Sequence, residues 1–105
     1  MGENTATGTL VNGLKVGDQV HKDFVMREAT AGDYFSAEAD ATSDKPMSYR
    51  GALIARQLVR VGSFEGPFTF RMIGSLSGRD MTILMDAQRG LDDEGEGEQR
   101  GDKSG

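Results

Sequence analysis

From Leu10 the apolar positions follow a period of two, with Leu10, Leu14 and Val16 on one face and Asn12 breaking the row. After Gly17-Asp18-Gln19 the alternation resumes with Val20, Phe24 and Met26, interrupted by Lys22. The pattern predicts a β-hairpin with strands over 9–16 and 20–28 and a turn at 17–19. Asn12-Gly13 is a competing turn signal of the I′ type, but it would leave a first strand of only about three residues. A bulge or kink at Gly13 accommodates both signals.

Past Glu28 the spacing becomes helical, and the switch falls within Met26-Arg27-Glu28-Ala29-Thr30-Ala31-Gly32-Asp33. Thr30 followed three residues later by Asp33 is a helix start signal, a hydroxyl for a first-turn N–H and a carboxylate for the positive end of the helix dipole. Gly32 costs helix propensity and suits a place where another backbone passes close. Arg27 and Glu28 stand where they can pair with the helix start. These residues predict a strand-to-helix junction locked by a cap and an ion pair, with no catalytic role. The first helix is expected over 31–41, with Tyr34, Phe35, Ala37, Ala39 and Ala41 as packing groups.

Pro46 suits the first turn of a second helix, expected over 46–61. Met47, Ile54, Leu58 and Val61 form one stripe, Ala52, Ala55 and Val59 a second, and Arg50, Arg56 and Arg60 fall between them. A helix apolar on two sides is central, and Gly62 closes it. Residues 63–68 read as a turn whose Phe64 and Phe68 fold back on the core. Thr69 caps a short helix over 70–75. Ser77-Gly78-Arg79-Asp80 repeats the capping pattern and opens a last helix over 78–90, ended by Gly90, with Leu91 the last residue able to dock. The fold class is therefore α+β: an N-terminal β-hairpin packed on three to four α-helices.

Composition refines this picture at the ends. The chain has 105 residues, enough for one domain with a modest core, and an apolar fraction of 36%. The shortage is local, because residues 92–105 contain no apolar side chain and carry a net charge of −4 out of −5. The expected organisation is a frayed N-terminus over 1–8, a single domain over 9–91 and a disordered acidic tail over 92–105. There is no cysteine, the N-terminus lacks the features of a secretion signal, and no apolar run approaches the ~20 residues of a membrane span. A soluble, cytosolic protein is expected.

Candidate chemistry is sparse. His21 is the single histidine and falls on the strand face opposite Val20 and Phe24, without a second ligand or an acid beside it. Gly95, Gly97 and Gly101 follow acids rather than a strand and lack dinucleotide-binding spacing. Nothing here predicts a catalytic residue, a metal site, a cofactor or a small-molecule substrate. Arg50, Arg56, Arg60, Arg71, Arg79 and Arg89 lie in the helical part and leave a small helical DNA-binding regulator as the alternative. The body outside the tail is close to neutral, however, and nucleic-acid binding needs dense positive charge. Six methionines and five phenylalanines supply adaptable apolar surface and point to an interaction protein.

The order of motifs resembles the tail assembly chaperones of Mu-like bacteriophages, in which a hairpin leads to an L-R-E-P-[ST]-A-G-D-like junction. Here that junction is Met26 to Asp33, and the similarity continues through Val61-Gly62 to Leu76-Ser77-Gly78-Arg79-Asp80, covering about residues 8–91. Ala29 departs from the usual proline, and the acidic tail lies outside the resemblance. Arg27, Glu28, Thr30, Gly32, Asp33 and Asp80 are its junction residues. The resemblance implies a non-enzymatic protein of a phage or prophage that binds the tape measure protein, a long helical chain with exposed apolar stretches, until the tail tube forms around it. Self-association stays open, and neither nucleic acid nor membrane is an implied partner. Tyr34, Phe64 and Phe68 are the expected contact residues, as large side chains on short turns and helix starts.

Overall fold

The computed structural model describes the backbone of residues 4–41 and 44–104 and the side chains of 4–41 and 44–92. Strand β1 (Thr5–Val16) pairs antiparallel with β2 (Gln19–Arg27), and Val16 opposite Gln19 leaves Gly17-Asp18 as the turn. Pairing already holds Thr5 opposite Arg27, so the strand starts earlier than its apolar pattern, within the stretch expected to fray. Between Thr9 and Leu14 the register shifts, because β1 advances from 9 to 14 while β2 moves only from Asp23 to His21. The extra residues leave the ladder as a wide bulge at Gly13, whose φ is +95°. A Cβ there would stand 2.5 Å from Val20 Cγ1 and 2.9 Å from the His21 carbonyl, so only glycine fits. Leu10 and Leu14, on either side of the bulge, are both buried in the core.

Strand β3 (Leu58–Val61) lines the other edge of β2 and completes a sheet of order β1-β2-β3. This corrects the long second helix expected over 46–61, since α2 (Pro46–Gln57) ends before β3 begins. A second register shift makes Met26 oppose Leu58 while Val25 opposes Arg60. Leu58 and Val61 are therefore both buried although three residues apart, with Val59 and Arg60 exposed between them. A bulged strand thus reproduces the spacing of a helical stripe.

Helices α1 (Ala31–Asp40), α2, α3 (Phe70–Gly74) and α4 (Gly78–Ser104) complete the α+β fold. The main core joins Leu10, Leu14, Phe24 and Met26 of the hairpin to Ile54, Leu58, Val61, Phe68, Ile73, Leu84 and Leu91. A smaller cluster of Ala37, Ala52 and Leu53 holds α1 against α2. Helix α2 is central as expected, with Gly51–Ala55 buried as a continuous run. Helix α4 lies along β1 and does not stop at Gly90; Leu91 docks in the core and the helix continues. The acidic tail over 92–105, expected to be disordered, has its backbone within α4 as far as Ser104, and its side chains from 93 on lie outside the described residues. Val20, expected inside, is exposed, and His21 is half-buried and stacked on Phe64 with ring centroids 6.4 Å apart.

One polar chain crosses this core. Gln88 of α4 donates from Nε2 to Gln57 Oε1 at 2.8 Å, and Gln57 donates to the Arg27 carbonyl at 3.0 Å. Both glutamines are buried, so each lost bond strands a polar atom away from water. Gln88→Ala should therefore cost about 1–3 kcal/mol in urea unfolding, whereas the exposed Arg89→Ala should stay within about 0.5 kcal/mol of the parent. Equal effects of the two substitutions would show that the buried pair contributes nothing specific.

Candidate functional site: two carboxylate junctions

The Thr30-x-x-Asp33 and Ser77-x-x-Asp80 signals both open helices, and tertiary contacts then use their carboxylates differently. At the first, the Thr30 hydroxyl accepts from the Asp33 N–H at 3.2 Å, and Asp33 Oδ2 accepts from the Thr30 N–H at 2.8 Å, a complete capping box. Arg27, at the end of β2, donates to both Asp33 oxygens, at 2.7 and 3.1 Å. It also donates to the Arg56 carbonyl at 2.7 Å, satisfying an acceptor in the last turn of α2. One guanidinium thus ties a strand end to the start of α1 and the end of α2. The Arg27 hydrogen bond holds the Asp33 carboxyl below its ordinary 3.8; burial opposes this and Thr30 assists.

Two junction residues act otherwise than their types suggested. Glu28 contributes through its backbone, its N–H donating to the Asn4 carbonyl and its own carbonyl accepting from Arg27, while its side chain is exposed. No second backbone crowds Gly32, where an added Cβ would meet only Thr30 Oγ1 at 3.7 Å.

The second junction reaches much farther. The Ser77 hydroxyl accepts from the Asp80 N–H at 3.1 Å as a helix cap. The carboxylate leaves its own helix and accepts from the Val11, Asn12 and Gly13 N–H groups of the β1 bulge, at 2.6, 3.0 and 2.8 Å. None of these three residues is paired in the β1–β2 ladder, and successive N–H groups form a natural anion nest. Asp80 is fully buried. Burial by itself would raise its carboxyl, but the Gly13, Val11 and Asn12 N–H groups and the Ser77 hydroxyl outweigh this and hold it below 3.8. Sequence reasoning placed Asp80 at a helix start and a bulge at Gly13 without joining them.

The expected contact residues do not form one surface. Phe68 is buried in the core, and Phe64 packs against it edge-on at 5.2 Å and stacks on His21. These two are structural, because the turn that carries them folds inward. Tyr34 is exposed, and its phenol is held above 10.0 by partial burial and then by the Asp92 charge. Phe35, read as a packing group of α1, is 71% exposed, and Met47 at the start of α2 is 57% exposed. Met47, Gly51, Phe70, Ile73, Leu76 and Met81 line an open apolar groove of about 310 Å³ between α2, α3 and α4. Sequence spacing showed the stripes that build this groove, but not that α3 leaves it uncovered.

The structure is thus a small α+β domain held by two carboxylate junctions, with an open apolar groove on one side and no metal-binding cluster among the described residues. Among the described residues no helix is long and apolar enough to cross a membrane. The family of tail assembly protein gp41 of Mu-like phages matches residues 41–102, more than half of the chain, and the chain belongs to that family. It is 30% identical over 87 residues to the Mu-like prophage FluMu protein gp41 of Haemophilus influenzae, covering 71% of this chain and 68% of that protein. No solved structure matches. The family match begins after the first junction and extends into the acidic segment, so it reaches farther at the C-terminal end than the motif resemblance did.

The two aspartates predict different costs. Asp33→Ala should destabilise by about 0.5–2 kcal/mol, the loss of a cap and a partly exposed ion pair. Asp80→Ala strands three N–H groups at once and should cost about 3 kcal/mol or more. Chemical denaturation of both variants decides the ranking, and a larger loss at Asp33 would reverse the roles assigned here. Both folded carboxyls lie below their unfolded values, so their contribution is complete above about pH 5 and is lost as the pH falls below about 4. Melting temperature against pH should follow that course, and Asp80→Asn should flatten its acid limb.

Proposed function

We propose that this chain is a tail assembly chaperone that binds the phage tape measure protein in the host cytosol and keeps it soluble before the tail tube polymerises. Membership of a tail assembly family supports the assembly role. The observation that carries the binding reading is the open apolar groove between α2, α3 and α4, with Met47 and Phe70 on it. A long helical client with apolar stripes can lay one stripe into such a groove, the usual mode of helix-in-groove recognition. The exposed Phe35 adds apolar area, and a monomer that leaves such groups in water gains from covering them.

The arginines behind the DNA-binding alternative are largely engaged with the chain's own acceptors. Arg50 donates to the Met85 carbonyl at 3.4 Å and Arg60 to the Gly62 carbonyl at 3.1 Å. Arg56 pairs with Asp40 and Arg89 with Asp86. Cations spent in this way make a poor phosphate-binding face.

Co-expression with the tape measure protein of the same phage should raise that protein's soluble fraction, and the two should co-purify. Met47→Ala and Phe35→Ala should weaken co-purification while leaving the melting temperature within a few degrees, as expected for exposed positions. Phe68→Ala should instead lower stability by about 3–5 kcal/mol, as for other buried aromatics. No gain in solubility with the parent chain, or salt-sensitive binding to random duplex DNA in its place, would defeat the chaperone reading.

A further inference from the structure

Asn12-Gly13 occurs once in the chain and does not serve as the hairpin turn. This dipeptide has a chemistry of its own. The Gly13 nitrogen, unhindered by any side chain on its residue, can lose its proton and attack Asn12 Cγ. The bond from Cγ to the side-chain nitrogen then breaks, ammonia leaves with the proton, and a five-membered succinimide remains. Water opens that ring at either carbonyl and yields aspartate or isoaspartate at position 12. Asn12 is exposed, so water has access.

The structure opposes the first step at the attacking atom. The Gly13 N–H donates to Asp80 Oδ2 at 2.8 Å, and the Asn12 N–H donates to the same oxygen at 3.0 Å. The proton that must leave is engaged, and a buried carboxylate beside the nitrogen disfavours the anion needed for attack. The backbone has little room to turn, because a Cβ at Gly13 would already meet Val20 and the His21 carbonyl. The carboxylate is also a weak base, since its N–H donors hold it below the usual range.

We propose that Asn12-Gly13 is a deamidation site kept closed by Asp80, so that release of the first turn of α4 from the β1 bulge opens it to reaction. The isoaspartate product cannot restore the clamp. Isoaspartate lengthens the backbone between residues 12 and 13 and carries the Gly13 N–H away from Asp80 Oδ2. Either product also places a second negative charge beside the first. Wherever isoaspartate forms, the site therefore converts a transient separation of α4 from the sheet into a permanent one. It is independent of which partner the groove holds.

Peptide mass spectrometry of the full chain, aged at neutral pH, reads the reaction as ammonia loss followed by isoaspartate or aspartate at position 12. The folded parent should react about tenfold more slowly, or slower still, than the same chain in urea. Asp80→Asn, which keeps the shape and removes the charge, should raise the folded rate severalfold. If that variant does not fold, Ser77→Ala loosens the same helix turn and leaves Asp80 in place. Its rate should then rise in step with loss of Gly13 amide protection in hydrogen exchange. Equal rates in folded and unfolded parent, or a rate unmoved when Asp80 or Gly13 protection is lost, would overturn the proposal.

Discussion

The contact between Asp80 and the β1 bulge is the constraint on which the rest of the structure depends. The bulge leaves consecutive backbone N–H groups outside the ladder, and a single buried carboxylate from the far end of the chain takes three of them. That pairing sets the position of α4 along β1. It also lets Leu10 and Leu14 enter the same core as Leu84 and Leu91. The charge is tolerated in a buried place because its partners are fixed dipoles at hydrogen-bond distance.

The Arg27–Asp33 junction does similar work at the other end of the sheet with a different balance. There the ion pair is partly solvated, so its Coulombic gain is modest and its value lies in geometry. One planar guanidinium reaches Asp33, the end of α2 and its own neighbour Glu28, and thereby sets the angle between β2, α1 and α2. The Gln57–Gln88 bond connects this junction to α4 through the core. Sheet, central helix and long helix are thus joined by polar contacts at both ends, with apolar packing between them.

This distribution leaves α3 and the groove beside it with lighter constraint. Helix α3 is one short helix capped by Thr69, and it meets α2 while leaving Met47 and its own Phe70 exposed. A face used for reversible assembly is best placed where closing it is not needed for folding. The polar junctions hold the fold together away from the groove, which is what the proposed use of that groove would need.

Local chemistry along the chain determined the hairpin and its turn, the caps at Thr30, Thr69 and Ser77, and the central apolar helix beginning at Pro46. Each depends on neighbours within a few residues, which the sequence displays directly. The ion pair of Arg27 with the helix start was legible for the same reason. Tertiary structure decided what depended on distant partners. Leu58 to Val61 became a strand because β2 offered an open edge, and a bulge there imitated helical spacing. Phe68 turned inward and Phe35 outward according to the packing of elements far apart in the chain. Asp80 read as an ordinary cap residue until folding brought the bulge within its reach. The residue type and the bulge were both visible in the sequence, but the contact between them spans nearly seventy positions, and no local spacing encodes it.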